Sequence, residues 1–155
     1  MSAAQGESEI RVCGWSDAEP DLRRIRHQVF VVEMHVPEAL EWDDADAISL
    51  HALAVDARGN AIGCARLLPD GHIGRVAVLA PWRGQGVGSA LLRALTERAR
   101  ARGDKRVMLN AQVAAIPFYE RHGFTAYGDV FDEAGIAHRT MARSLDVNAR
   151  ATAGI

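Results

Sequence analysis

The sequence predicts one mixed domain of α/β (α+β) class, with a mostly antiparallel sheet, one parallel strand pair and flanking helices. Three observations carry this. Short apolar runs separated by turn residues form a meander over residues 50–78. A glycine-rich turn then leads into a long helical pattern, and the strand–helix–strand order around that helix requires a parallel pair with a right-handed crossover.

Composition sets the bounds. The chain has 155 residues, 48% hydrophobic and 25% charged, enough for one domain with a real core. Its formal net charge of −2 gives no general pull toward nucleic acid or acidic membranes. Cys13 and Cys64 are far apart, which suggests neither a disulfide framework nor a structural zinc site, and free thiols fit a reducing cytoplasm. Six histidines without a spaced pair suggest no metal site. Residues 1–8 read as a polar, disordered leader without signal-peptide character, residues 9–144 as the domain and 145–155 as an Ala-rich tail; no apolar stretch is long enough to span a bilayer.

In chain order, Glu9–Trp15 alternates as a first strand. Ser16 or Asp17 can cap a helix over about 18–32, with Leu22, Ile25, Val29 and Val32 on the apolar face and Asp21, Arg23, Arg24 and Arg26 mostly opposite; Val36–Pro37 ends it. The segment 37–47 carries Glu38, Glu41, Asp43, Asp44 and Asp46 around Trp42. It reads either as a solvated loop or short helix, or as an acidic wall that attracts a cationic amine.

Leu50–Asp56, Ala61–Leu68 and His72–Val78 follow as strands, joined by Arg-Gly-Asn and Pro-Asp-Gly connections short enough for antiparallel hairpins. A helix over about 86–101 buries Val87, Leu91, Leu92, Leu95 and Ala99, has arginines in its last turns and stops at Gly103. Arg106–Ala111 is the parallel partner strand. Ala114–His122 is a short helix, and Thr125–Phe131 and Ile136–Arg143 are antiparallel strands linked through residues 132–135.

The chemistry starts at the glycine-rich turn. Glycines at 84, 86 and 88 precede a helix, so free N–H groups and the positive end of its dipole converge on one spot, an anion cradle suited to phosphate or pyrophosphate. No lysine precedes Ser89, as a Walker A loop would require, and position 89 is Ser and position 91 Leu where the dinucleotide fingerprint needs glycine. A nucleotide site is therefore the weakest reading.

The pattern Arg83-x-x-Gly86-x-Gly88 after an apolar strand resembles the acyl-CoA pyrophosphate loop of the GCN5-related N-acetyltransferases (GNAT). A second segment, Leu109-Asn110-Ala111-Gln112 followed by Ala115-Ile116-Pro117-Phe118-Tyr119-Glu120-Arg121-His122-Gly123-Phe124, is similar to another part of that family. The resemblance covers roughly residues 9–144. Arg26–Glu33, the acidic run, His51, Gly74–Val78, Leu109–Gln112 and Phe131–His138 together resemble the ElaA-like branch, although Glu33-Met34 replaces the usual Val-Glu-Gln.

The resemblance implies a GNAT acyl-CoA N-acyltransferase fold, whose parallel strands, here about 73–78 and 106–111, splay apart around the pantetheine arm of acetyl-CoA. It assigns Val76, Ala77 and Val78 to that arm and the N–H groups of Arg83, Gly84, Gln85, Gly86, Val87, Gly88 and Ser89 to the pyrophosphate. Asn110, Phe118 and Tyr119 border the arm opposite. The Val78 amide is the natural oxyanion donor and Tyr119 the general acid for the departing thiolate. Glu33, His51 and the acidic residues 43–46 are the candidate bases for the amine, directly or through water. The implied activity is direct acetyl transfer from acetyl-CoA to a primary amine, small-molecule or peptide, in a protein that can be a homodimer; neither Cys13 nor Cys64 falls near the expected sulfur in this topology, so no acyl-enzyme is expected. A non-catalytic acyl-CoA-binding or sensor domain is the alternative.

Overall fold

The structure, a computed structural model, describes residues 8–145; the expected leader and C-terminal tail lie almost wholly outside the described residues. Strand β1 (Glu9–Cys13) leads into helix α1 (Trp15–Arg26), which runs on as a π-helical segment (His27–Glu33). Helix α2 (Glu38–Glu41) and a 3₁₀ turn (Asp44–Ile48) precede strands β2 (Leu50–Val55), β3 (Ala61–Leu67) and β4 (Ile73–Val78). Helix α3 (Val87–Ala101), strand β5 (Arg106–Gln112), helix α4 (Ile116–Arg121) and strands β6 (Thr125–Glu133) and β7 (Ile136–Ser144) complete the order.

The strands form two antiparallel groups, β1-β2-β3-β4 and β5-β7-β6. They meet at one parallel bridge, His72 with Met108, beside which the Met108 N–H donates to the Gly71 carbonyl at 3.0 Å. Beyond that bridge β4 and β5 share no further paired residues among the described ones. The two strands are therefore joined at their N-terminal ends and open toward Val78 and Gln112.

The apolar runs of β2 and β3 are continuous because both faces of this half-sheet are covered. Ala52, Ala54, Ile62 and Leu67 join the buried α3 stripe of Val87, Leu91, Leu92, Leu95 and Ala99, whereas Leu53, Val55, Cys64 and Ala77 pack with Leu22 and Ile25 of α1 and Val29 of the π-helical segment. Gly63 permits the close approach of α3: a Cβ there would stand 3.1 Å from Val87 Cγ1 and 3.2 Å from Leu91 Cδ1.

The first helix departs from its simple helical reading. It begins at Trp15 after Gly14, whose N–H is accepted by the Asp17 carboxylate at 2.9 Å, and it is kinked at Ala18 ahead of Pro20. After Arg26 the repeat widens, and the Met34 N–H donates to the Val29 carbonyl five residues back. The wider turn takes Val32 off the buried face, leaving it 48% exposed, and brings Met34 against the core instead. Arg26 is the larger correction. It is 1% exposed, four residues after Leu22 and therefore on the buried face.

Residues 132–135 also differ from the expected link. β6 runs to Glu133, and Ala134 and Gly135, at φ 54° and 80°, form a two-residue turn of the mirror-image type that suits a twisted hairpin.

Candidate active site

A cleft of about 1060 Å³ opens between the diverging ends of β4 and β5 and extends past the glycine turn and the end of the first helix. Its β4 wall is a bulge. Gly74 pairs with Arg66 and Ala77 with Cys64, so Arg75 and Val76 together oppose a single residue of β3. Arg75 sits at φ 50°, a left-handed conformation costing a non-glycine residue roughly 1–2 kcal/mol. Its side chain is held by Glu41 Oε1 at 3.4 Å from Nε and by Asp43 Oδ2 at 3.3 Å from Nη2, which keeps the bulge in place.

Past the bulge the direction of the backbone groups can be read from one bond. The Leu79 N–H donates to the Ile62 carbonyl at 2.9 Å, back toward β3. Consecutive amides of an extended strand alternate, so the N–H and C=O of Val78 face the other way, into the cleft. The Arg83 Nε donates to that Val78 carbonyl at 2.9 Å.

The turn that follows supplies the cradle. Gly84 and Gly86 lie at φ 76° and 86°, and a Cβ on either would meet no protein atom within 4 Å, so the space over them is open. Gly86 caps α3, whose first N–H groups have no partner within the helix. Gly84, Gly86, Val87, Gly88 and Ser89 all line the cleft. Gln85 does not; its side chain donates to the Pro81 carbonyl at 2.9 Å and pins the turn from outside. The Ser89 hydroxyl is held 2.9 Å from Nε2 of His122, the residue that caps the C-terminal end of α4.

The opposite wall holds Asn110, Phe118 and Tyr119. A Cβ on Gly88 would sit 3.6 Å from the Phe118 ring, so the glycine lets α3 and α4 close on each other. Tyr119 is packed edge-on between Phe118 and Phe124, and burial pushes its phenol up to about 12. At neutral pH it is an uncharged O–H donor.

The candidate bases fare differently. Glu33 lines the cleft, but its Oε2 stands 2.8 Å from Arg83 Nη2. His51 is 1% exposed, lies outside the cleft lining, packs against Trp15 and donates through Nε2 to the Asp46 carbonyl at 2.9 Å. Desolvation lowers its basicity.

The acidic run forms a short helix and a 3₁₀ turn, as one of its two readings allowed, with Glu38, Asp43 and Asp44 exposed; but Glu41 and Asp46 are buried in ion pairs, so it is not a free acidic wall. Arg26 Nε reaches Glu41 Oε1 at 2.6 Å and its Nη1 reaches Asp46 Oδ1 at 2.8 Å, while Arg66 Nη1 binds Asp43 at 2.7 Å and Asp46 at 3.1 Å. Trp42 and Trp15 flank Arg26 at 5.1 and 5.5 Å from its guanidinium carbon. Burial raises Glu41; it also works upward on Asp43, but Arg66 and Arg75 outweigh it and hold Asp43 low. Cys64 pairs with Ala77 and so stands nearer the site than topology suggested, yet it belongs to the α1-side core and burial pushes its thiol up to about 12.

The profile of the acetyltransferase (GNAT) domain matches residues 12–145. Over 123 residues the chain is 35% identical to an uncharacterized N-acetyltransferase, YjcF, of Bacillus subtilis (strain 168), covering 77% of this chain and 87% of that protein. Over 132 residues it is 33% identical to protein ElaA of Escherichia coli (strain K12), covering 80% of this chain and 86% of ElaA. The chain belongs to the GNAT acetyltransferase superfamily, in its ElaA-like branch. The crystal structure of Escherichia coli ElaA overlays this GNAT fold with a TM-score of 0.80 at 29% identity, covering 89% of this chain and all (100%) of that one. An acyl-CoA N-acyltransferase from Pseudomonas aeruginosa does so at 0.79 and 30%, again over 89% and 100%.

In this GNAT domain two features escaped the sequence reading. The buried arginines 26 and 66 were hidden by residue type, although the Leu22-to-Arg26 spacing already placed Arg26 inward. His138 and Glu133 also line the cleft, and the Ile136-x-His138 alternation beyond a two-residue turn was the signal available for them. Among the described residues no helix is long and apolar enough to cross a membrane, and no group of three or more His, Cys, Asp or Glu is placed to hold a metal.

Proposed function

We propose that this GNAT domain, taken as residues 9–144, transfers an acetyl group from acetyl-CoA directly to a primary amine. One observation carries the reading: the Val78 amide, the open glycine cradle and Tyr119 all border a single cleft between diverging parallel strands. The residues fit the co-substrate. Gly84 and Gly86 leave space where a side chain would otherwise project, and the unpaired N–H groups of α3 suit a pyrophosphate.

When bound, acetyl-CoA supplies an activated thioester. Val76 and Val78 offer backbone groups to the pantetheine arm, with Asn110 and Phe118 on the other side; Ala77, expected to do the same, lines the cleft but by the same alternation turns its N–H and C=O toward Cys64 of β3. The Val78 N–H stabilises the negative charge that gathers on the acyl oxygen under attack. Tyr119 gives its proton to the departing sulfur, a role its uncharged state permits. Arg83 joins β4 to the loop and adds positive charge beside the cradle. The buried, poorly ionised Cys64 and the half-buried Cys13, also shifted upward by burial, favour direct transfer over an acyl-enzyme. Two free thiols suit a reducing cytoplasm.

Thiol release from acetyl-CoA across a panel of small and peptide amines tests this reading. Amine-dependent release is expected; tight CoA binding with no turnover on any amine would leave a binding or sensor domain, and displacement of CoA by ATP or NAD would favour a nucleotide site.

A further inference from the structure

We propose that His138 is the base that takes the proton of the acceptor ammonium, with Glu133 as the residue that positions that ammonium; this rests on the amine-acetylating reading above. His138 is 7% exposed and lines the cleft. Its Nδ1 lies 2.7 Å from the Ile136 carbonyl oxygen. A carbonyl only accepts, so Nδ1 carries the hydrogen, and in the neutral ring Nε2 bears the lone pair. The ring is stacked on Phe131 at 6.0 Å with 25° between planes, which fixes where that lone pair points.

The group facing Nε2 is a carboxylate. Glu133 Oε2 stands 3.5 Å away. With the ring neutral both atoms are acceptors and cannot bond each other, so an ammonium that donates to each satisfies both. The hairpin register sets where the two side chains start. Glu133 pairs with Ile136 across the Ala134–Gly135 turn, and Phe131 pairs with His138, so Phe131, Glu133, Ile136 and His138 share one face.

The register also puts this pair beside the reacting end of the cleft. Gln112, at the open end of β5, pairs with His138, and both line the cleft together with Val78 and Tyr119. The other candidate bases are occupied or lie elsewhere: Glu33 is held by Arg83, Asp43 by Arg66 and Asp46 by Arg26, His51 is sealed beneath Trp15, and Asp44 is exposed outside the cleft lining.

The proton count closes. His138 Nε2 takes one proton from the ammonium, and the freed nitrogen lone pair forms the C–N bond to the acyl carbon. The C–S bond breaks, its electron pair stays on sulfur, and Tyr119 protonates that sulfur. The second nitrogen proton and the one held by His138 pass to solvent, from which Tyr119 regains its own.

Two measurements test this. In long-range ¹H–¹⁵N spectra of the protein alone, with the His138 signals identified by their loss in His138→Asn, the neutral ring should carry hydrogen on Nδ1 only; hydrogen on Nε2 would overturn the proposal whatever the enzyme's substrate. His138→Asn keeps a side-chain N–H for Ile136 while removing the base. On the fastest amine of the panel it should lose about 10²-fold or more in kcat, with CoA affinity and melting temperature held, a general base being worth roughly 10²–10⁴-fold. That deficit should shrink with a fluorinated, less basic analogue of the same amine. Glu133→Gln should raise KM for the amine several-fold with kcat nearly unchanged. Equal deficits for both amines, or wild-type turnover in His138→Asn, would overturn the proposal alone; no wild-type turnover with any amine would overturn it together with the reading it rests on.

Discussion

Arg83 holds two parts of the site at once: its Nη2 is 2.8 Å from Glu33 Oε2 and its Nε donates to the Val78 carbonyl at 2.9 Å. One guanidinium thus joins the end of β4 to the last turn of the first helix, at the edge of the glycine cradle. Both side chains are partly exposed, so the ion pair itself adds little stability.

A Glu33 carboxylate already engaged by Arg83 is a poor candidate for carrying protons. Glu33→Gln should lower kcat by less than about tenfold, below the roughly 10²–10⁴-fold that loss of a general base costs. Arg83→Ala should instead weaken CoA binding about tenfold, as expected for one lost charged hydrogen bond. Steady-state kinetics and calorimetric CoA titration check both. A thousandfold loss of kcat in Glu33→Gln would restore it as the base.

Gly86 occupies a left-handed conformation at the start of α3, with open space above it. Gly86→Ala should cost about 1–2 kcal/mol of folding stability through backbone strain. It should weaken CoA binding further, because the added methyl projects over the cradle. Denaturant unfolding and CoA titration separate the two losses; unchanged CoA affinity would argue against a pyrophosphate there.

The ion cluster around Arg26 should matter for stability. Removing one partner of a buried pair strands the other charge, so Arg26→Ala should cost about 3–5 kcal/mol. Asp46 would lose its shortest partner, while Arg66 would retain Asp43. Unfolding in urea measures this, and a loss under about 1 kcal/mol would mean that water replaces the arginine readily.

How much of this was legible in the sequence differs by element. The α3 stripe, the meander and the glycine cradle were readable because periodicity and turn chemistry are local. The π-helical turn was not. It moves Val32 outward and Met34 inward through a five-residue repeat that helical spacing does not anticipate. The acidic run was read only in part for a different reason: Glu41, Asp43 and Asp46 are paired with Arg26, Arg66 and Arg75, which lie on three other elements, and only tertiary structure brings them together. His138 was visible as a residue but not as a cleft group, since that depends on the register of β7 against β5 and β6.

Burial gives a pH dependence of definite sign. Tyr119 is raised from 10.0 to about 12 and Cys64 from 9.0 to about 12, and each is charged only when it loses its proton. The folded state therefore holds these protons more tightly than the unfolded chain does. Their contribution is complete below pH 9 and is lost as pH rises toward 12. Unfolding midpoints across that range should fall, and less steeply in Tyr119→Phe; an equal slope in the variant would contradict the burial of the phenol.

The most direct test of the central claim is mass analysis of the amine after incubation with acetyl-CoA, comparing the wild type with Tyr119→Phe. An acetylated amine formed in step with free CoA by the wild type, and about 10²-fold more slowly by the variant at unchanged CoA affinity, is the predicted result. Acetylated amine formed at equal rates by both would contradict the role of Tyr119, and CoA binding without acetylated product from any amine would contradict the acetyltransferase itself.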